Sequence, residues 1–179
     1  MLKILIVEDD ALLADTLRHM IELNPLHSVT AVVDHGEAAL EAAAERQPDI
    51  ALVDLQLARG TTGFAVAAKL GELGVPCLFM TGKAPSFPLP DLALGVLAKP
   101  FSEEDLVRTL KAAEDMLKGR QRLSLRPSRP ANLRIYAEEG PDGPEEEVAI
   151  VPRTGARTLK RRIESWWQHR QARGLEAAE

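Results

Sequence analysis

The hydrophobic pattern of residues 1–118 predicts an α/β fold built on a doubly wound five-stranded parallel sheet. Three observations carry this. Short apolar runs of strand length alternate with stretches of helical period. The connections between them are short, and glycine or proline stands at several of the breaks. Strand–helix alternation with short loops means right-handed βαβ units, which leave parallel strands side by side.

The elements follow in order. Residues 3–7 (KILIV) form a β-branched apolar run, as expected of a strand buried on both faces. Residues 11–23 place Leu13, Leu17, Met20 and Ile21 at helical spacing, with Asp10 as N-cap and Asn24-Pro25 as the stop. Residues 28–33 read as a second strand, 37–46 as an Ala-rich helix and 50–53 as a third strand. A helix over 64–73 stops at Gly74, and strands follow at 76–80 and 94–98. Between those strands, Pro85, Pro88 and Pro90 argue against a regular helix. Residues 103–118 close the unit as an amphipathic helix with Leu106, Leu110, Ala113 and Leu117 on one face.

Composition narrows the function classes. Hydrophobic residues make up 45% of the 179, enough for a core, but aromatics are only 4%, so Leu, Val, Ile and Ala must fill it. Residues 1–10 do not resemble a signal peptide, and no run of about 20 apolar residues exists to span a bilayer. The single Cys77 lies in an apolar run and reads as a buried thiol. These features suit a cytoplasmic protein. Charge is uneven: residues 1–117 balance to −9 and residues 118–179 to +4, within a total of −5. An acidic body and a basic extension suggest two functional segments.

In such a sheet the binding site lies at the carboxyl ends of the strands. There the first strand ends in Glu8-Asp9-Asp10, the third in Asp54, the fourth in Thr81 and the fifth in Lys99-Pro100. Taken singly, Asp10 reads as a helix cap and Asp54 as a turn residue. Together they make an acid cluster beside one hydroxyl and one ammonium group. Clustered carboxylates repel unless a cation compensates them, and Mg²⁺ typically takes a few carboxylates while retaining waters. A carboxylate beside a metal and a lysine suits an anionic phosphoryl group in transfer, and it can itself become an aspartyl-phosphate. A plain stabilising ion-pair network is the competing reading.

The pieces ILIVEDD, ALVDLQL, FMTG and LAKPF, in this order and spacing, resemble the receiver domain of two-component response regulators. The resemblance covers residues 1–118 and implies a flavodoxin-like fold whose fourth helix is shortened or missing. It implies a phosphoacceptor signalling protein rather than an enzyme, one that assists its own phosphorylation and dephosphorylation. Asp54 would accept phosphate from a histidine kinase or phosphotransfer protein. Asp9 and Asp54 would hold Mg²⁺ through their carboxylates, Gln56 through its backbone carbonyl, and Glu8 through a water. Lys99 would pair with the phosphoryl oxygens, Thr81 would move to bond them, and the Lys99-Pro100 bond would be cis. Gln56 and Lys83 would flank the entrance for attacking water and tune phosphate lifetime; as an alternative, Lys83 is an exposed loop charge.

Two departures bear on output. Three positions before the lysine, where the family commonly carries an aromatic, stands Val96, which shifts the expected switching to backbone and loop motion. The FMTG-Lys83 stretch is similar to a subgroup with a Phe-Ala-Thr-Gly-type motif and a shortened fourth helix, departing from it at Met80.

The rest of the chain divides into a basic linker, 119–130, and an extension, 131–179, of hairpin plus amphipathic helix. Strands are expected at 132–137 and 148–151 around an acidic Gly/Pro turn. A helix over 154–173 would align Leu159, Ile163, Trp166 and Trp167 as an apolar interface stripe. The favoured role is interaction, such as a homodimer through the extension. Docking on the chain's own first domain comes next and nucleic-acid binding last, leaving nucleic acid and membrane as unexpected partners. A DNA-binding regulator using the basic extension is the alternative function.

Overall fold

The computed structural model describes residues 1–58, 60–118 and 130–136. Strands β1 (Leu2–Val7), β2 (His27–Val33), β3 (Ile50–Asp54), β4 (Cys77–Thr81) and β5 (Gly95–Ala98) alternate with helices α1 (Ala11–Glu22), α2 (Gly36–Arg46) and α3 (Gly63–Glu72). Helix α4 (Glu103–Leu117) follows β5, and a short strand β6 (Leu133–Ile135) comes last. The sheet order is β2-β1-β3-β4-β5-β6. The first five strands pair in parallel, as the alternation predicts.

Side-chain alternation along the strands builds two cores. Leu5, Val7, Ala51, Val53, Cys77, Phe79 and Val96 face α2 and α3. Ile4, Ile6, Ile50, Leu52, Leu78, Met80 and Leu97 face α1 and α4. Because both faces are covered, the central strands read as unbroken apolar runs. Three of the four described helices start on a side-chain cap. The Asp10 carboxylate accepts from the Leu12 and Leu13 N–H groups, and Thr62 caps α3 through Ala65 N–H. Ser102 and Asp105 form a reciprocal capping box on α4.

Between β4 and β5 no helix forms. Residues 82–94 run as bends and turns, with Leu89, Leu92 and Ala93 packed on the α2–α3 face in place of a helix. The proline pattern foresaw this. Cys77 is buried, as expected. No described helix is long and apolar enough to cross a membrane.

The sheet itself corrects the sequence reading. It has six strands, not five, and is mixed, because β6 runs antiparallel along β5. The register pairs Gly95 with Ile135, Val96 with Arg134 and Leu97 with Leu133. The first strand expected of the hairpin therefore joins the main sheet, where a ladder and a buried Ile135 and Tyr136 stabilise it. Its expected partner at 148–151 lies outside the described residues, as do the stripe Leu159, Ile163, Trp166 and Trp167 and all of the 119–130 linker but Pro130.

Candidate functional site

The carboxyl ends of β1, β3, β4 and β5 bring the predicted polar residues to one edge. Glu8 and Asp9 follow β1, Asp54 ends β3, Thr81 ends β4 and Lys99 follows β5. One carboxylate oxygen each from Glu8, Asp9 and Asp54 lie within 4.8 Å of one another. Asp10 is not in this group; its carboxylate is committed to the first turn of α1.

Lys99 ties the acids together. Its Nζ donates to Asp54 Oδ2 at 2.6 Å and to Glu8 Oε2 at 2.9 Å. Burial of Glu8 pushes its carboxyl above the usual carboxylate range, and the Lys99 contact only partly counters this. For Lys99, burial works against the charge, but the bonds and charges from Asp54 and Glu8 outweigh it and raise its pKa. The pocket thus keeps an ammonium beside the Asp54 carboxylate.

Backbone donors orient the remaining oxygens. Gln56 N–H donates to Asp54 Oδ1 at 3.0 Å, and Ala58 N–H to Asp9 Oδ2 at 3.0 Å. Both donors sit in the loop after β3, which an antiparallel bridge between Gln56 and Thr62 folds back on itself. The loop then enters α3 at Gly63, whose N–H donates to Leu55 O. A Cβ at Gly63 would lie 2.1 Å from Asp54 O, so only glycine lets α3 start this close to the end of β3. Sequence reasoning missed Ala58 and Gly63. A backbone donor leaves no mark in the side-chain sequence, but a glycine at a helix start is a readable signal of close approach.

Thr81 is fully buried, and its hydroxyl is engaged locally: Oγ1 donates to Lys83 O and accepts from Lys83 N–H, both at 3.3 Å. The side chains of Gln56 and Lys83 are exposed beside the pocket. Val96 is buried among the residues of the α2–α3 core. The Lys99-Pro100 bond is cis.

Three carboxylates offering only oxygen, close enough to share one ion and, among the described residues, paired with the Lys99 ammonium, suit a hard divalent cation. Receiver domains bind Mg²⁺ at such an acidic site. This donor set fits that ion: the described residues bring three carboxylates around the Lys99 ammonium, and Asp9 is exposed.

Comparison with known proteins agrees with the geometry. Residues 4–111 match the family described as response regulator receiver domain. The chain is 33% identical over 115 residues to a sensory transduction protein LytT of Bacillus cereus, covering 62% of this chain and 46% of the relative. It is 33% identical over 154 residues to a DNA-binding response regulator MtrA of Mycobacterium leprae, covering 82% of this chain and 62% of that one. The chain thus spans about half, or somewhat more, of the length of the curated relatives it matches. Among solved structures, the signal receiver domain of a modulated diguanylate cyclase from Desulfovibrio desulfuricans G20 aligns with a TM-score of 0.57 at 33% identity. That alignment covers 66% of this chain and 98% of the other. Fold, strand-end pocket and family match converge: the chain belongs to the response regulator receiver domain family of two-component systems.

Proposed function

We propose that Asp54 accepts a phosphoryl group from the phosphohistidine of a histidine kinase or phosphotransfer protein, and that this switches a protein–protein interaction or oligomeric state. The observation that carries the reading is the Lys99 ammonium bonded to Asp54 inside a three-carboxylate cluster. An Asp54 oxygen attacks phosphorus, the N–P bond breaks, and the imidazole leaves with the electron pair, yielding an acyl phosphate on Asp54. Glu8, Asp9, Asp54 and the Gln56 carbonyl are the groups to hold Mg²⁺, which supplies charge neutralisation for the transferring phosphoryl group. Lys99 neutralises a further oxygen. Its pre-existing bond to Asp54 means little reorganisation is needed. The Thr81 hydroxyl, held by two long bonds to Lys83, is cheap to release toward a phosphoryl oxygen. Gln56 and Lys83, exposed at the mouth, tune hydrolysis by water.

The test is incubation of the chain with Mg²⁺ and a small phosphodonor, read by intact mass and by size exclusion. A mass gain of one phosphoryl group in the native chain and none in Asp54→Asn supports the reading. No gain, or an equal gain in both, overturns it. A change in assembly size places the output in oligomerisation.

A second reading, a DNA-binding regulator, has its own support. The match to the relative named DNA-binding response regulator reaches over 154 residues, and residues 118–179 carry a balance of +4. That name runs against the sequence-based expectation that nucleic acid is not a partner. Gel shifts on genomic fragments at several salt concentrations decide it: a steep salt slope that changes with phosphorylation supports DNA output.

A further inference from the structure

Beyond α4 the chain returns to the phosphoacceptor pocket. Strand β6 lies along β5, and the pairing extends past its ends: Ala98 N–H donates to Asn132 O, and Tyr136 N–H to Leu94 O, both at 2.9 Å. At the pocket end the side chain of Asn132 takes over from the ladder. Its Nδ2 donates to Ala98 O at 3.1 Å and to Pro100 O at 3.3 Å. These two carbonyls flank Lys99 on either side in sequence. The Lys99 N–H itself donates to Thr81 O at 2.8 Å. The backbone carrying the pocket lysine is therefore held by β4 on one side and by Asn132 on the other.

The residue type matches the task. A side-chain amide offers two N–H donors on one planar nitrogen, so one Asn spans two carbonyls. The reversed amide would set Oδ1 against both carbonyls, so the contacts assign its orientation. The fit is close along the whole strand: a Cβ at Gly95 would lie 2.3 Å from Arg134 O and 3.0 Å from Ile135 Cα. Glycine at 95 is what allows β6 to lie against β5.

The lysine needs such support. Its ammonium sits at the end of a flexible four-carbon stem, and it must meet Glu8 and Asp54 together. Displacing the Lys99 backbone moves the root of that stem and spoils a contact made at 2.6 Å. We propose that Asn132 is a positioning residue for Lys99, making β6, a segment beyond the helix that closes the receiver domain, part of the phosphoacceptor machinery. The inference rests on the phosphoacceptor reading above and deepens it.

The test uses the full chain with Asn132→Ala, Asn132→Asp and Gly95→Ala. The first two delete the Nδ2 donors, and the third drives β6 off β5 without touching a pocket side chain. The maximal rate of Asp54 phosphorylation by a small phosphodonor is expected to fall about tenfold or more, as small misplacements of a reacting group do. The half-saturating Mg²⁺ concentration is expected not to rise, because Asn132 bonds none of the ion's proposed holders and a displaced Lys99 leaves the Glu8 and Asp54 carboxylates freer for the ion. The Cε resonance of Lys99 in the NMR spectrum is expected to move in all three variants. An unchanged rate in all three, or a loss of rate matched by a proportional loss of Mg²⁺ affinity, overturns the inference, the latter showing general loosening. If the native chain takes up no phosphoryl group, the phosphoacceptor reading fails by itself. The Lys99 resonance then decides positioning: displacement in the variants supports it, and constancy overturns it.

Discussion

Two substitutions in the pocket of the metal-free chain should act in opposite ways: Asp54→Asn should cost no stability, whereas Lys99→Met should cost several kcal/mol. One carboxylate oxygen each from Glu8, Asp9 and Asp54 lie within 4.8 Å of one another. At an effective dielectric constant of about 20, two unit charges at that separation repel by about 3.5 kcal/mol, so Asp54 meets about 7 kcal/mol from its two neighbours. On the same scale the Lys99 ammonium, 2.6 Å from Asp54 Oδ2, returns about 6 kcal/mol. The two nearly cancel. Asp54→Asn keeps the volume and removes the charge, so a gain of about 0–2 kcal/mol is expected. Lys99→Met keeps the apolar stem but leaves buried Glu8 and Asp54 without their cation, at a cost of about 3–5 kcal/mol. Urea unfolding in a chelator measures both, with unchanged m-values confirming that stability alone has moved. Adding Mg²⁺ stabilises the native chain by mass action and Asp54→Asn by less, since a carboxylate donor is gone. Loss of more than about 2 kcal/mol in Asp54→Asn under chelator, or a neutral Lys99→Met, would refute this charge balance.

Other outcomes follow from single features. Gly63→Ala sets a Cβ against the Asp54 carbonyl at 2.1 Å, and backbone cannot swing away. A loss of about 1–3 kcal/mol in urea is expected, with slower Asp54 phosphorylation; an unchanged urea midpoint would show that α3 can slide. Ser102→Ala breaks the capping box of α4 and should cost about 1 kcal/mol, read as a lower thermal midpoint. Burial lowers the pKa of His27, against a smaller upward pull from Glu114, and among the described residues its buried Nδ1 has no hydrogen-bond partner. With the folded pKa depressed, the unfolded chain takes up the proton first. Stability from this site is full above about pH 6.5 and is lost as pH falls through the folded pKa. His27→Leu should flatten that acid limb in urea titrations; an identical pH slope in both chains would remove His27 as its source.

Much of the fold was legible because local chemistry and tertiary demand coincide. Runs such as KILIV are apolar on both faces because both faces of the sheet are covered. Asp10 announces α1 because its carboxylate reaches the first free N–H groups. The three prolines at 85, 88 and 90 removed a helix by their own ring geometry. The strand-end residues were legible for a similar reason: parallel winding brings strand ends together whatever the sequence distance. From one such edge, Glu8, Asp9, Asp54, Thr81 and Lys99 could be placed in a single pocket.

What only the tertiary structure decided are pairings with no local signature. The pattern over 132–137 marks a strand but does not say which edge it will join. A hairpin partner and the open side of β5 satisfy the same alternation, and the latter is occupied because β5 would otherwise leave a row of unpaired backbone groups. The backbone donors of Gln56 and Ala58 are equally silent in sequence, since every residue but proline carries one. The role of Asn132 depends on two carbonyls 32 and 34 residues away. The sequence by itself determined the winding and the chemistry of the pocket, because both follow from residue type and spacing. Tertiary contact determined what steadies that pocket, because hydrogen bonds between distant backbones depend on where chains meet and not on what they spell.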